Sequence, residues 1–496
     1  MALPELIEII PLDQPVRAEI TVPGSKSITN RALILAALAQ GEVTLQGALW
    51  SEDTQIMVEC LKALGFVVHV APDPEERCNR TILVCGGGGT VPPGGTDAEP
   101  LNLFVGNAGT AARFLAPLLC LGDGVYRLHG TPRMHERPQA ALFQALRELG
   151  YRIEAENGND RLPARFLAGS AGRLPESQTE FNQRKSAPPA PQKCRVSIAE
   201  SSQFASALLL SSKIGGWQIE IAGENAEESP YVVMTSKLLE VFPHSGGTFQ
   251  IEPDASSGSY FWAANWLVAV NAWMKDFLDE NYPEIEQRFQ EVWAWVKASR
   301  PGQAPVPGGA GGAFSVRHWP ASGWQIDADF PQFIPLPGKI SREGQLGDSI
   351  MTAIVLAADL WGGIGLERRE KGIEFSDLGR LRVQECDRVA ALYAELTKCG
   401  ANVAVAGDTL TVCQTRQLHG AEIETYNDHR MAMCFAILGL KVSGIRIKNP
   451  ACVKKTFPNF FQKLAAPTPA GLGAEIWEIK DGQRTRRLEG ADLFAD

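Results

Sequence analysis

The sequence has little of what nucleic-acid-binding and membrane proteins are built from. Among its 496 residues, 47 lysines and arginines face 57 aspartates and glutamates, so the net charge of −10 provides no basic excess for a nucleic acid. No apolar run is long enough to span a membrane. The first residues carry glutamates where a signal or transit peptide carries bases. We therefore expect a cytoplasmic protein that binds neither membranes nor nucleic acid.

Several common catalytic and structural signatures are also absent. The ten cysteines are scattered without a C-x-x-C pair, which indicates reduced thiols rather than disulfides or metal ligands. No spacing of histidine, cysteine and carboxylate residues fits a metal site. A P-loop, a Rossmann fingerprint and a nucleophile elbow are all missing. The sequence therefore predicts chemistry that needs no metal.

Basic residues are nevertheless concentrated in a few motifs. At 496 residues the chain is too long for a single hydrophobic core, so we expect two or three domains. Basic motifs in an acidic protein indicate a small anionic ligand rather than a polymer. The basic residues in question are Lys26, Arg31, Arg113, Arg133, Arg137, Arg388, Arg430 and Lys455.

The first of these motifs, at residues 23–31, predicts a strand, a turn and a helix. A β-type stretch at 18–22 leads into Pro23-Gly24, and a long run of helix-forming residues follows. Free backbone N–H groups, Lys26 and Arg31 would then meet at one helix N-terminus and form an anion site. The alternative interpretation is a solvated turn that carries two basic residues.

Six segments of the chain share this pattern of small or polar residues followed by an apolar helix. Their roughly regular spacing predicts a repeated α/β unit. Residues 266–300 break the pattern, and their composition predicts Trp-rich amphipathic helices. Residues 301–312 are predicted to form a linker. The chain after about Ala466 is predicted to be a poorly ordered tail. The six segments begin near Ser27, Asn107, Ser201, Ser256, Asp348 and Asp428.

Two acids stand out because they lie within otherwise basic motifs. Asp348 and Glu385 would be ionised beside lysine and arginine side chains and could each serve as a base, although an aspartate at a helix start is also a common N-cap. The polar residues at 201–203 could cap a helix or bind a polar ligand. Arg137 could bind an anion or form a structural ion pair.

Six motifs of the chain match one enzyme family. The closely matched motifs are PGSKSITNRA at 23–32, GNAGTAAR at 106–113, PRMHERP at 132–138, SSQF at 201–204 and YNDHRMAM at 426–433, and a sixth, Gln-Glu-Cys-Asp-Arg at 384–388, is matched loosely. Over residues 10–265 and 345–465 the chain resembles the 3-phosphoshikimate 1-carboxyvinyltransferases, also called 5-enolpyruvylshikimate-3-phosphate synthases, which are enolpyruvyl transferases.

The resemblance implies an α/β (α+β) fold of two similar domains. Each would contain three βαβαββ units around a pseudo-threefold axis, an inside-out α/β barrel, here with an atypical helical insert. The first domain would be discontinuous, at residues 1–22 plus 253–466, and the second would span 23–252, with a C-terminal tail at 467–496. The substrates would bind between the domains, which would close on the first substrate.

The family's reaction joins shikimate 3-phosphate to phosphoenolpyruvate and releases phosphate. The resemblance implies no cofactor, and we expect a monomer whose partners are these two small molecules. It implies Asp348, Glu385 and Lys26 as catalytic residues, with His429 as a further helper. For shikimate 3-phosphate it implies Lys26, Ser27, Arg31, Ser201, Ser202, Gln203, Asp348 and Gln384; for phosphoenolpyruvate it implies Lys26, Asn107, Gly109, Arg133, Gln203, Arg388, Arg430 and Lys455.

Three departures from the family pattern leave other functions open. Gln384 replaces a usual lysine, Glu228 replaces a usual serine before Pro-Tyr, and residues 266–340 are replaced or expanded. These departures motivate the alternative of a non-catalytic paralogue that binds phosphoshikimate or another anion. A UDP-N-acetylglucosamine enolpyruvyl transferase is a second alternative, but its opening Lys-Asn motif and reactive loop cysteine are not evident here.

Overall fold

The computed structural model divides the chain into two compact units. It describes residues 3–14, 16–169, 192–223, 229–270, 314–334, 336–359, 372–413, 415 and 418–495. Gly24–Ile251 form one unit, which we call the continuous unit. Met1–Pro23 and Glu252–Asp496 form the other, the discontinuous unit. Both divisions lie one residue from the expected positions at 22/23 and 252/253.

The helices are mostly short, and none in the described part of the chain is long and apolar enough to cross a membrane. The α-helices of the described residues are α1 (Lys26–Leu38), α2 (Glu52–Ala63), α3 (Gly109–Cys120), α4 (Pro132–Glu136), α5 (Ala140–Glu148), α6 (Gln203–Gly215), α7 (Pro230–Val241), α8 (Ala255–Asn265), α9 (Ile350–Ala357), α10 (Arg388–Lys398), α11 (His429–Gly439) and α12 (Phe460–Ala465).

Among the described residues, the strands form six small sheets, three in each unit. The strands are β1 (Leu6–Ile9), β2 (Ala18–Ile20), β3 (Gln40–Leu49), β4 (Val67–Pro72), β5 (Asn79–Gly87), β6 (Leu101–Phe104), β7 (Gly124–His129), β8 (Arg152–Ala155), β9 (Ala164–Ala168), β10 (Gln192–Ser197), β11 (Trp217–Ala222), β12 (Gly247–Gln250), β13 (Phe314–Val316), β14 (Lys339–Ser341), β15 (Ile373–Ser376), β16 (Asn402–Ala406), β17 (Thr409–Cys413), β18 (Glu422–Ile423), β19 (Arg446–Lys448), β20 (Ile476–Lys480) and β21 (Gln483–Arg487).

The sheets of the continuous unit repeat one pairing pattern. Their strand orders are β12-β3-β5-β4, β6-β7-β9-β8 and β10-β11. In both four-stranded sheets the first pair is parallel and the next two pairs are antiparallel. Helices α1, α3 and α6 pack against one another, and α3 is buried along its whole length. A helix that is apolar on all sides belongs in a core, so these helices form the centre of the unit.

The discontinuous unit repeats the arrangement. Its sheets have the orders β18-β19-β1-β20-β21, β13-β2 and β14-β15-β17-β16. The last of these again begins with a parallel pair followed by antiparallel pairs. Helices α8, α9 and α11 pack against one another at the centre. The similarity between the two units agrees with the fold class that the resemblance implied.

The six predicted segment starts all lie at the heads of the central helices. Ser27 and Ser256 lie in the first turns of α1 and α8. Asp428 is the N-cap of α11 and accepts a hydrogen bond from the backbone N–H of Arg430. Asn107, Ser201 and Asp348 each lie two residues before α3, α6 and α9. The prediction of six similar helix starts is therefore confirmed.

The expectation of a poorly ordered tail after Ala466 is wrong. Strands β20 and β21 form an antiparallel hairpin, and β20 also pairs with β1. Leu488 and Leu493 are buried, so the segment contributes apolar surface that a loose tail would leave in water. The predictions for residues 271–300 and 301–312 and for Glu228 lie outside the described residues.

Candidate active site

The start of α1 places Lys26 next to a buried carboxylate. The Lys26 Nζ atom lies 3.1 Å from Oδ2 of Asp53, in the first turn of α2. The turn before Lys26 is tight, because a Cβ atom on Gly24 would lie 2.0 Å from the carbonyl oxygen of Gly47. The Lys26 side chain is 18% exposed. The turn therefore fixes the backbone, and the Lys26 side chain stays partly exposed beside Asp53.

Arg31, one turn further along α1, is buried and bonded to the protein. Its Nε donates a hydrogen bond of 2.8 Å to Oγ1 of Thr235, its Nη1 one of 2.9 Å to the carbonyl of Ser27, and its Nη2 one of 2.9 Å to Oγ of Ser206. Burial lowers the pKa of Arg31 to about 10, so the guanidinium stays charged at neutral pH. Arg31 therefore ties α1 to α6 and α7 in this structure, and its contact with a substrate stays a prediction.

The small residues before α3 pack against a buried arginine. Nη1 of Arg137 donates a hydrogen bond of 3.2 Å to the carbonyl of Asn107. A Cβ atom on Gly109 would lie 2.7 Å from Nη2 of Arg137. Any other residue at position 109 would therefore displace the guanidinium, which is the physical reason for a glycine at this place.

The start of α6 contains three predicted residues, one of which contacts a second buried arginine. Nη1 of Arg113 donates a hydrogen bond of 2.7 Å to Oε1 of Gln203. Oγ of Ser201 accepts one of 3.3 Å from the backbone N–H of Gln203, and Ser202 is the N-cap of α6. Hydroxyl, amide and guanidinium groups thus meet at one helix N-terminus, where partial positive charge favours an anion.

In the discontinuous unit, Asp348 lies between two arginines just before α9. Its Oδ1 atom lies 2.9 Å from Nη2 of Arg342, and its Oδ2 atom lies 3.1 Å from Nη2 of Arg430. Burial, the largest influence, raises the pKa of Asp348, but the charges of Arg430, Arg342 and Arg388 together outweigh it and lower the pKa. Asp348 is therefore ionised at neutral pH.

A second buried carboxylate, Asp327, supports the turn that carries Asp348. Its Oδ1 accepts a hydrogen bond of 2.7 Å from the backbone N–H of Ser349. A Cβ atom on Gly347 would lie 3.0 Å from its Oδ2. Burial, followed by the negative charge of Asp348, raises the pKa of Asp327 to about 6. The two neighbouring carboxylates thus have pKa values shifted in opposite directions.

Glu385 is held by two cations at the start of α10. Its Oε2 lies 2.9 Å from Nη2 of Arg388, and its Oε1 lies 3.0 Å from Nζ of Lys455. Nε of Arg388 lies 2.7 Å from Oδ2 of Asp428, and Nη1 of Arg388 donates to Oε1 of Gln384. Burial lowers the pKa of Arg388, but Asp428, Glu385 and Asp348 outweigh it and raise the pKa.

The head of α11 joins Asp348 and Glu385 into one network. Oδ1 of Asp428 accepts hydrogen bonds from the backbone N–H of Arg430 at 2.9 Å and from Nη2 of Arg388 at 3.2 Å. Arg430 contacts Asp348 and also donates to Oγ of Ser256 at 3.1 Å. An unbroken series of ion pairs and hydrogen bonds therefore connects Asp348 to Lys455.

Known proteins with similar sequences identify the family. The family model described as EPSP synthase (3-phosphoshikimate 1-carboxyvinyltransferase) matches residues 12–277 and 348–464. The chain belongs to the EPSP synthase family. A 3-phosphoshikimate 1-carboxyvinyltransferase of Paraburkholderia phymatum is 33% identical over 484 residues, covering 90% of this chain and 96% of the relative. Another, from Nostoc sp., is 33% identical and covers 93% of this chain and 99% of the relative.

Solved structures show the same fold. An EPSP synthase from Acinetobacter baumannii has a TM-score of 0.59 and 20% identity, covering 95% of this chain and all of that chain. The enolpyruvyl transferase NikO from Streptomyces tendae has a TM-score of 0.57 and 16% identity, covering 96% and 99%. The two-unit α/β architecture is thus the enolpyruvyl transferase fold.

The structure brings together the site residues that the EPSP synthase motifs assign to the discontinuous unit. The six residues of this set are Asp348, Gln384, Glu385, Arg388, Arg430 and Lys455. In the continuous unit, Gln203 lies beside Arg113, Asn107 and Gly109 lie beside Arg137, and Lys26 lies beside Asp53. In the part of the chain that the structure describes, no group of three or more His, Cys, Asp or Glu side chains could hold a metal ion.

Arg133 and Arg137, which belong to one EPSP synthase motif, have different environments. Arg133 lies in α4 and forms an ion pair of 2.6 Å with Glu136, with 43% of its side chain exposed. Arg137 is 8% exposed and is the arginine that contacts Gly109 and Asn107. The family resemblance assigned Arg133 to the site. The sequence itself carries no local signal of which of two arginines four residues apart contacts the glycine.

Sequence reasoning also missed three charged residues around the predicted acids. Asp428 was recognised only as a segment start, although it binds Arg388. The sequence assigns no role to Arg342 or Asp327, although the side chains of both contact the turn before α9. An aspartate directly before an apolar helix signals the capping role of Asp428. No local pattern signals the contacts of Asp327 and Arg342, which depend on tertiary structure.

Proposed function

We propose that this protein transfers the enolpyruvyl group of phosphoenolpyruvate to the 5-hydroxyl of shikimate 3-phosphate. In the first step the hydroxyl oxygen bonds to C2 of phosphoenolpyruvate, the hydroxyl loses its proton, and the methylene carbon gains one. In the second step the new methyl group loses a proton, the bond from C2 to the phosphate oxygen breaks, and inorganic phosphate leaves. The products are the enol ether and phosphate, so no oxidant or reductant is required.

The network from Asp348 to Lys455 is the observation that carries this proposal. It places two carboxylates, Asp348 and Glu385, within ion-pairing distance of arginine and lysine side chains in a buried setting. An ionised carboxylate can accept a proton, and preorganised cations stabilise the charge that develops on an anionic transition state. We assign the proton of the 5-hydroxyl to Asp348 and proton exchange at the methylene carbon to Glu385, with Lys26 and His429 as helpers.

The cations of the network are suited to phosphoenolpyruvate. Arg388, Arg430 and Lys455 are each paired with a carboxylate in the ligand-free structure. The phosphate and carboxylate of the substrate would replace these internal partners, so the three buried cations would keep an anionic partner when the substrate binds. Bidentate guanidinium contacts would also orient the substrate.

The continuous unit contributes the remaining contacts in this proposal. Ser27, Arg31, Ser201, Ser202, Gln203 and Lys26, together with Gln384, form the set for shikimate 3-phosphate. For phosphoenolpyruvate we place Arg137 in the set beside Lys26, Asn107, Gly109 and Gln203, and we remove Arg133. The buried position of Arg137 against Gly109 and Asn107 supports this change, since the exposed Arg133 is paired with Glu136.

A phosphate-release assay with both substrates tests the proposed reaction. We expect the wild type to release phosphate only when both substrates are present. Asp348→Asn and Glu385→Gln should each lower kcat by about 100-fold or more, the usual contribution of a positioned acid or base. Glu374→Gln is the control, because Glu374 forms an exposed ion pair with Lys339, and it should retain wild-type turnover.

Two outcomes would contradict the proposal. Turnover that persists in an Asp348→Ala, Glu385→Ala double variant would refute the assigned roles. Binding of both substrates by calorimetry without phosphate release would favour the non-catalytic anion-binding paralogue instead.

The proposal extends to the setting in which the enzyme acts. We place it in the cytoplasm as a monomer without a nucleic-acid partner. The ten cysteines are free thiols, which fits a reducing compartment, and the net charge of −10 disfavours nucleic acid. Light scattering coupled to gel filtration would test the monomer, because a dimer of this 496-residue chain would have twice the mass.

A further inference from the structure

Asp348 is held from two sides by arginines that differ in what else they contact. Arg430 binds Oδ2 of Asp348 and also donates hydrogen bonds to Ser256 and Tyr260. Arg342, in the segment after β14, donates a hydrogen bond of 2.9 Å to Oδ1 of Asp348. The Arg342 side chain is 6% exposed. Asp348 therefore has one partner from α11 and another from its own preceding segment.

The contacts of the two arginines with Asp348 should change differently when a substrate binds. Arg430 is a proposed ligand of phosphoenolpyruvate, so its contact with Asp348 weakens when the substrate takes its donors. Arg342 has no proposed substrate role. Its Nε atom is buried, and among the described residues it has no hydrogen-bond partner. Arg342 can therefore keep its contact with Asp348 throughout the reaction. Its Nε–H group can also donate a hydrogen bond to a group that enters the site.

The surroundings of Asp348 make such a permanent partner necessary. The carboxylate of Asp327 reaches the turn that carries Asp348, where it accepts a hydrogen bond from Ser349 and packs against Gly347. Two carboxylates close together in a buried site favour the binding of a proton. The charged groups that face Asp348 are Arg342, Arg430, Arg388 and Asp327. Once the substrate engages Arg430 and Arg388, only Arg342 counters Asp327 within this set.

We infer that Arg342 is a positioning residue that keeps Asp348 ionised and oriented while the cations of the network bind phosphoenolpyruvate. The inference rests on the role of Asp348 as base in the proposed function. Arg342 and Asp327 lie between the two segments that the EPSP synthase family model matches, 12–277 and 348–464. Both residues thus belong to the segment in which this chain departs from the family pattern.

Direct titration of the Asp348 carboxyl tests the inference without relying on turnover. The protein is labelled with [4-13C]aspartate, and the Asp348 resonance is assigned by its absence in Asp348→Asn. Spectra are recorded from pH 4 to 8 in saturating phosphoenolpyruvate. Because the surrounding arginines already lower the pKa of Asp348, the wild-type carboxyl should stay ionised down to pH 4. In Arg342→Met its titration should move up into the measured range, by about 1–3 pH units, the usual effect of one neighbouring arginine on an aspartate. Arg342→Lys, which keeps the charge, should stay near the wild type.

The pH profile of phosphate release gives a second readout. The acid limb of kcat should move to higher pH in Arg342→Met by a similar amount and return in Arg342→Lys. Arg317→Met is the matched control, because Arg317 forms an exposed ion pair with Glu19, and its profile should superimpose on the wild type. Should Arg342→Met fail to fold, Arg342→Gln replaces it, since glutamine keeps a donor for Asp348 and loses the charge.

The outcomes separate this inference from the proposed function. If the Asp348 resonance titrates identically in wild type and charge-removing variants, or remains ionised in both down to pH 4, Arg342 does not control Asp348 and the inference is overturned. A drop in kcat without movement of the acid limb would likewise reduce Arg342 to a structural role. If the wild type releases no phosphate, the proposed function fails, and the titration still decides the role of Arg342.

Discussion

At the scale of single residues, the site depends on close contacts between glycines and charged groups. The guanidinium of Arg137 occupies the space where a side chain at position 109 would begin, and Asp327 packs in the same way against Gly347. In both cases a missing Cβ atom lets a charged side chain approach the backbone at the head of a central helix. Small changes at these glycines should therefore affect charge placement more than folding.

The contact between Gly109 and Arg137 leads to a prediction about substrate binding. Gly109→Ala should displace Arg137 and raise the KM for phosphoenolpyruvate by about 10-fold or more, because a hydrogen bond to a charged group contributes about 1.5–3 kcal/mol. Arg137→Met should have the same effect, whereas Arg133→Met should leave the KM near the wild type. Steady-state kinetics with varied phosphoenolpyruvate would measure this, and the reverse order of the two arginine variants would contradict it.

The raised pKa of Asp327 leads to a prediction about stability. Its folded pKa of about 6 lies above the ordinary aspartate value, so the folded protein binds the extra proton between about pH 4 and 6 and loses stability as pH rises through that window. Asp327→Asn keeps an acceptor for Ser349 and carries no charge. Relative to the wild type it should gain up to about 3 kcal/mol between pH 4 and 7.

Thermal unfolding at several pH values measures this difference. Asp329→Asn is the control, since Asp329 lies two residues away with its carboxylate bonded to Gln332 at an exposed position. A stability difference between Asp327→Asn and wild type that does not change with pH would show that Asp327 titrates normally.

At the scale of elements, the sequence was most informative about helix starts. Small polar residues before apolar runs located the heads of α1, α3, α6, α8, α9 and α11, because capping and burial act locally. The sequence could not locate the partner of β2, which pairs in parallel with β13 nearly 300 residues away. The contacts of Arg342 and Asp327, and the choice between Arg133 and Arg137, also escaped prediction, because they depend on how these side chains pack in the folded unit.

The packing of α1 against α6 and α7 depends on a buried guanidinium. Arg31→Met should lower the free energy of unfolding by about 2–4 kcal/mol, because it leaves Thr235 and Ser206 without their charged donor. Urea unfolding would measure the loss. Arg152→Met is the control, since Arg152 forms an exposed ion pair with Glu154 and its loss should cost less than about 1 kcal/mol. Equal effects of the two substitutions would show that the Arg31 contacts contribute little.

At the scale of the whole molecule, one unit is assembled from both ends of the described chain. Strand β1 lies between β19 and β20 in a five-stranded sheet. Glu8 in β1 bonds to Arg446 in β19 and Arg484 in β21. Burial raises the pKa of Glu8, but Arg484 and Arg446 outweigh it and lower the pKa. The sequence predicts a poorly ordered tail here, but the hairpin of β20 and β21 is part of the five-stranded sheet of this unit.

Removal of residues 475–496 should therefore destabilise the discontinuous unit. The deletion takes away β20, β21 and the buried side chains Leu488 and Leu493, and it leaves β1 at a sheet edge. Each buried leucine contributes about 2 kcal/mol, so we expect a stability loss of more than about 4 kcal/mol and aggregation through the new edge. Thermal unfolding and the soluble yield would measure this.

A milder variant, Glu8→Gln, serves as the comparison for the deletion. Glu8→Gln leaves the pairing of β1 intact and removes only its charge, so it should stay soluble with a modest loss of stability above about pH 5 that disappears in acid. A truncated protein as stable as the wild type would show that the hairpin does not stabilise the discontinuous unit.

The position of β1 has a consequence for biosynthesis. Leu6 pairs with Lys448, and Ile7 pairs with Glu478, so this strand leaves the ribosome roughly 440 residues before its partners exist, a delay of about 20–90 s at ordinary translation rates. Gly24–Ile251 can complete their own core during that interval. The nascent chain therefore carries this strand of Leu, Ile and Glu residues without its sheet partners until translation reaches β19.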